Sequence, residues 1–70
     1  MQLMYGVIHK GIELRMMKDD TIFCCDTLWV CDKHGNRYGG PFIYPEQYWI
    51  ARDKFDIVFE MLLKLNGKEE

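Results

Sequence analysis

Between Gln2 and His9 apolar side chains alternate in the period of a strand, with Leu3, Tyr5 and Val7 on one face and Met4 and Ile8 on the other. Lys10-Gly11 offers a tight turn. Ile12, Leu14 and Met16 then alternate with Glu13 and Arg15, which predicts a strand with one buried face. Lys18-Asp19-Asp20 reads as the next turn. From Thr21 to Cys31 the odd positions Phe23, Cys25, Trp29 and Cys31 are apolar, and so are the even positions Ile22, Cys24, Leu28 and Val30. That pattern predicts a long central strand buried on both faces and bent at Asp26-Thr27. Asp32 to Asn36 carries hairpin chemistry, because Gly35 and Asn36 tolerate positive φ. Arg37-Tyr38 opens a fourth strand that Gly39-Gly40-Pro41 breaks and Phe42-Ile43-Tyr44 resumes. Proline removes a ladder donor, which places this strand at an edge.

Pro45-Glu46 suits the first turn of a helix, and the period changes to that of a helix over residues 47–66. Ala51, Phe55, Val58, Leu62 and Leu65 recur at spacings of three and four and form one stripe, with Asp53, Asp56, Glu60 and Lys64 opposite. Acidic residues in the first half and Lys64 near the end suit the helix dipole. Asn66-Gly67 closes the helix. The expected fold is therefore α+β: a four-stranded antiparallel β-meander with one C-terminal α-helix packed on one face, in the order β-β-β-β-α. Residues 1–67 are expected to form a single small α+β domain, and residues 68–70 a frayed C-terminal tail.

The helix carries more apolar surface than one sheet face covers. Phe59 and Leu63 extend the stripe on one flank, Ile57 and Met61 on the other, so the apolar arc spans roughly 240° at about 100° per residue. The central strand repeats the message, since a single helix covers only one of its faces. Large contiguous apolar patches are uncommon on monomers, and small domains gain stability by associating. The excess predicts a homo-oligomer, most simply a two-fold dimer, with Ile57, Met61 and Leu63 as the self-association residues.

Composition narrows the function classes. The 70 residues are 49% hydrophobic and 14% aromatic, which excludes a disordered tail. Nine Lys and Arg against eleven Asp and Glu give a net charge of −2 with no basic run, so a phosphate-backbone partner is disfavoured and nucleic acid is an unlikely partner. Three cysteines, two of them adjacent, make a poor disulfide framework and suit a reducing compartment. The start of the chain lacks a leader pattern, and the apolar runs are far shorter than the roughly 20 residues a bilayer span needs. The expected location is cytoplasmic, with no membrane partner.

Candidate chemistry is sparse. Cys31-x-x-His34 has the spacing of half a zinc site, with Cys24, Cys25 and His9 as further ligand candidates, but a second half-site of comparable spacing is missing. No thiol sits in a nucleophile signature, and Asp19-Asp20 and Glu69-Glu70 read as solvated charge. Gly35-x-x-x-Gly39-Gly40 lacks the Lys-Ser/Thr of a phosphate loop. No metal, no cofactor and no catalytic residue is expected. The residues with binding character are Tyr44, Tyr48, Trp49 and Arg52, with Arg37 nearby in sequence: aromatics and arginine dominate binding hot spots. The reading is a small non-catalytic, self-associating module that binds a protein partner through those four residues. Its size and acidic, aromatic-rich character suit a regulator or inhibitor of a host protein, of the kind phages and mobile elements encode. The alternative is a small ligand such as a nucleotide, or a nucleic acid, stacked on the same aromatic and arginine cluster.

Overall fold

Lys10 and Gly11 both take positive φ, 53° and 79°, the pair of angles that a two-residue hairpin matched to strand twist requires. They join β1 (Gln2–His9) to β2 (Ile12–Asp19). β3 (Asp26–Asp32) and β4 (Arg37–Tyr44) follow, and α1 (Tyr48–Gly67) closes the order. The computed structural model describes residues 1–20 and 25–67. All strand pairs are antiparallel in the spatial order β1-β2-β3-β4, with α1 against one face. This is the α+β meander with a C-terminal helix that the periodicities imply.

Leu14, Met16, Leu28 and Val30 project from the two central strands toward the helix and are fully buried, against Ala51, Phe55 and Val58 of α1. Ala51 brings the helix backbone close to the sheet, and Phe55 fills the centre, with Tyr5 edge-on at 5.0 Å. Burying a side chain of this size stabilises by about 1.5–3 kcal/mol. Leu62 completes the stripe, half-buried. Leu65 does not: it is 61% exposed. At the last turn of α1 Leu62 and Asn66 stand over the hairpin ends of the sheet at Gly11, Ile12, Asp32 and His34, while Leu65 belongs to the exposed flank with Ile57 and Met61. Asn66 caps this end by donating from its side-chain amide to the Leu62 carbonyl at 2.8 Å.

Four local expectations are corrected. Lys18-Asp19-Asp20 is not a turn at its start: β2 runs on through Asp19, with Lys18 opposite Leu28 and Asp19 opposite Thr27. The charge is accommodated because Lys18 Nζ meets Asp26 Oδ2 at 3.1 Å and Asp20 Oδ1 at 3.5 Å. The hydrogen bond with Asp26 outweighs desolvation and holds the Lys18 ammonium above its ordinary range. Gly39-Gly40-Pro41 does not break the fourth strand. The pairing steps from Leu28↔Phe42 to Val30↔Gly39 and then to Cys31↔Arg37, so extra residues of β4 are absorbed as bulges along an edge. A bulge also falls in β1, where the register shifts between Leu3 and Tyr5. It moves Leu3 off the face of Tyr5 and Val7, while Met4 packs against the core. Finally, the first turn of α1 holds no acidic residue; Asp53 and Asp56 lie beyond the reach of the unpaired amides that make the N-terminal dipole.

The long central strand is described from Asp26 onward; the part of that expectation on Thr21 to Cys24 lies outside the described residues. Within β3 both faces are occupied. Leu28 and Val30 meet the helix, while on the opposite face Cys31 is buried and Trp29 half-buried. The Arg37 guanidinium lies 4.0 Å over the Trp29 ring, so part of the apolar excess is covered by the sheet's own side chains rather than by a partner.

Candidate binding surface

The site begins at the junction of β4 and α1. Gln47 N–H donates to the Ile43 carbonyl at 2.7 Å, and Ile43 N–H donates to Gln47 Oε1 at 2.7 Å. Tyr48 N–H donates to the Pro45 carbonyl at 3.1 Å. Three residues of turn are thereby closed between strand and helix, and the aromatic side chains on either side take fixed directions. Tyr44 and Tyr48 meet edge-on at 6.4 Å, and Tyr48 and Trp49 at 5.0 Å.

Arg52 follows one turn along α1. Its guanidinium lies 3.8 Å over the Tyr5 ring and 5.7 Å from the Trp49 ring, and a hydrogen bond to Tyr48 outweighs desolvation and pushes its pKa up. Lys18 extends the row at its other end, 5.6 Å over Tyr44. Tyr44, Tyr48, Trp49 and Arg52 therefore form one connected surface, and Tyr5 and Lys18 belong to it as well. Sequence reasoning missed those two because sheet register brings them in from β1 and β2. The half-buried tyrosines support the row from the core side, while Trp49 stands 69% exposed at its crest. Arg37 is not part of it: stacked on Trp29, it belongs to the opposite face of the sheet.

Ile57 and Met61 lie on the other flank of α1, 64% and 44% exposed. With Leu65 they line a shallow groove bordered by Asp56, Glu60 and Lys64. Leu63 is half-buried and does not join them. Six residues from Ile57 it is turned about 120° away at 100° per residue, on the side of Phe59. Exposed Ile50 continues the strip instead, beside Pro41 and Phe42 of β4.

The thiol and imidazole candidates do not converge. Desolvation pushes the Cys31 thiol up, against the lowering effect of Arg37 and Arg15, which disfavours the thiolate that metal binding or nucleophilic attack needs. His34 sits in the exposed hairpin loop, its N–H donating to Asp32 Oδ1 at 2.9 Å. His9 neighbours Phe59 at 6.5 Å. Among the described residues no group of three or more His, Cys, Asp or Glu side chains is placed to hold a metal; Cys24 lies outside them. Among the described residues no helix is long and apolar enough to cross a membrane.

Fold and surface together define a small α+β protein with an antiparallel sheet, an aromatic crest at the start of its helix and an apolar strip along one helix flank. Comparison with protein-family models, curated proteins and solved structures finds no match to this chain.

Proposed function

We propose that this protein is a non-catalytic, self-associating binding module that acts by occupying a protein partner, with Trp49 as the anchor. The observation that carries the reading is Trp49 itself: a large ring 69% exposed, yet held by Tyr48 at 5.0 Å and Arg52 at 5.7 Å. An exposed tryptophan on a rigid helical turn offers contact area at small entropic cost, which is the property of an interface hot spot. Tyr44 and Arg52 flank it, and Ile57 and Met61 stand exposed on the far flank for self-association. Small size and acidic character suit a regulator or inhibitor of a host protein, of the kind phages and mobile elements encode. The buried thiol of Cys31 suits the reducing cytoplasm.

The test is capture from host lysate by the whole chain and by Trp49→Ala, with circular dichroism confirming that both are folded. A protein retained by the first and lost by the second supports the reading; equal capture by both, or none by either, overturns it. The alternative, a nucleotide or single strand stacked on the same rings, draws on the Arg52 stacking. It requires binding of oligonucleotides or nucleotides that Trp49→Ala abolishes, with a steep salt slope for a strand.

A further inference from the structure

We infer that two copies of the chain pair through α1 in antiparallel orientation, with Met61 at the two-fold axis and Lys64 of each copy between Asp56 and Glu60 of the other. This rests on the self-association reading above and specifies its surface and register. Ile57, Met61 and Leu65 are 64%, 44% and 61% exposed and line one groove. At about 100° per residue they fall within roughly 80° of arc, and Ile50, 54% exposed, falls inside the same arc. The strip has two unlike borders. Toward the sheet it meets the bulged part of β4, and Lys54, which falls inside the same arc, packs its stem there against Gly39. Toward solvent it meets the charged residues Asp56, Glu60 and Lys64.

The occupant follows from the placement of those charges. At a rise of about 1.5 Å per residue, Lys64 stands about 4.5 Å beyond Met61, while Glu60 and Asp56 stand about 1.5 and 7.5 Å before it. An antiparallel two-fold axis at Met61 sets the solvent-side borders of the two copies beside each other and reverses these levels. Lys64 then lies within about 3 Å, along the axis, of either carboxylate across the seam. Ile57 meets the partner's Leu65 by the same operation, so the apolar residues close on each other while the charges pair. A parallel pair places Leu62 and Leu65 at the level of Lys64 and offers it no carboxylate. The charges set orientation, and the apolar strip supplies the association.

The experiment is sedimentation equilibrium of the full chain, of Lys64→Glu, of the double variant Asp56→Lys with Glu60→Lys, and of an equimolar mixture of the two variants. All three positions are exposed, and circular dichroism verifies that each protein is folded. The unsubstituted chain is expected as a dimer. Each variant alone is expected to weaken the dimer about tenfold or more, by like charges across the seam. Their mixture is expected to recover the dimer. In the heterodimer the introduced glutamate faces the two introduced lysines at one end, and Lys64 of one copy again faces Asp56 and Glu60 of the other at the second end. A dimer indifferent to both variants, or a mixture that does not recover, overturns this register while leaving self-association standing. A chain that stays monomeric across the concentration range overturns both.

Discussion

Gln47 and Ile43 are tied to each other twice, each backbone N–H donating to an oxygen of the other residue at 2.7 Å. This double tie fixes the angle at which α1 leaves the sheet. Removing one partner of such a bond leaves a part-buried strand amide unpaired, at about 1–2 kcal/mol. Gln47→Ala is therefore expected to lower stability by that amount in urea unfolding and to loosen the Tyr44–Tyr48 contact. A red shift in the emission of neighbouring Trp49 is expected to accompany it. Stability and emission both unchanged would show that the helix leaves the strand at this angle without Gln47.

Gly40 sits at a close approach of backbone and indole in the sheet. Its φ is 125°, and a Cβ there would lie 2.8 Å from the Leu28 carbonyl oxygen and 2.8 Å from Trp29 Cε3. Backbone and a packed indole have nowhere to go, so Gly40→Ala should cost about 3 kcal/mol or more, combining strain with overpacking. Gly11 is the control, because at φ 79° a Cβ meets nothing within 4 Å. Gly11→Ala should cost only the conformational penalty of about 1–2 kcal/mol. Denaturation midpoints of the two variants give the comparison; equal losses would remove the steric part of the argument.

Asp32 organises the hairpin between β3 and β4. Its carboxylate accepts hydrogen bonds from the His34 and Asn36 N–H groups at 2.9 Å each, from Asn36 Nδ2 at 3.0 Å and from the Tyr38 hydroxyl at 3.1 Å. Desolvation raises this carboxyl, but the hydrogen bonds outweigh it and bring it from 3.8 down to about 2. A pKa lowered on folding adds stability that is present above the unfolded value and is lost as pH falls through the folded one. The loss should run from about pH 4 to pH 2, of order 1 kcal/mol after allowance for solvent exposure. Asp32→Asn should flatten the stability curve in that interval while leaving the other carboxylates to titrate. An unchanged acid limb would separate Asp32 from acid unfolding.

Phe55 and Leu65 are both apolar members of the helical repeat, and their variants should behave oppositely. Phe55→Ala removes the centre of the core, at about 3–5 kcal/mol, enough to abolish the cooperative transition of a domain this small. Leu65→Ser removes a side chain that is mostly exposed and should leave the unfolding of the monomer within about 0.5 kcal/mol of the original. Circular dichroism melts at low concentration decide both. A large loss at Leu65 would mean that the last helical turn is packed.

The elements were legible in the chain because each has its own period: Ile12, Leu14 and Met16 for a strand, Ala51, Phe55 and Val58 for a helix. What escaped the reading is what pairing decides. Met4 looks like one more alternating residue until the register with Met17 and Met16 makes it the surplus one. Gly39-Gly40-Pro41 looks like a break because glycine and proline are local signals, whereas a bulge belongs to two strands. Lys18 and Asp19 look like turn charge because Asp26, the partner of Lys18, lies eight residues away. The candidate surface divides in the same manner. Tyr44, Tyr48, Trp49 and Arg52 could be named from residue type and proximity along one segment. Tyr5 and Lys18 required knowledge of which strand stands beside which, and the clamp at Gln47 required the geometry of the turn between β4 and α1.

The bulges of β1 and β4 fall on the two outer strands of the sheet. Each twists its edge and interrupts the row of free amides and carbonyls on which another chain would add a strand. With both margins uneven, the sheet is a poor template for its own extension. Margins of this kind disfavour open-ended edge-to-edge stacking and leave contact with other chains to side chains.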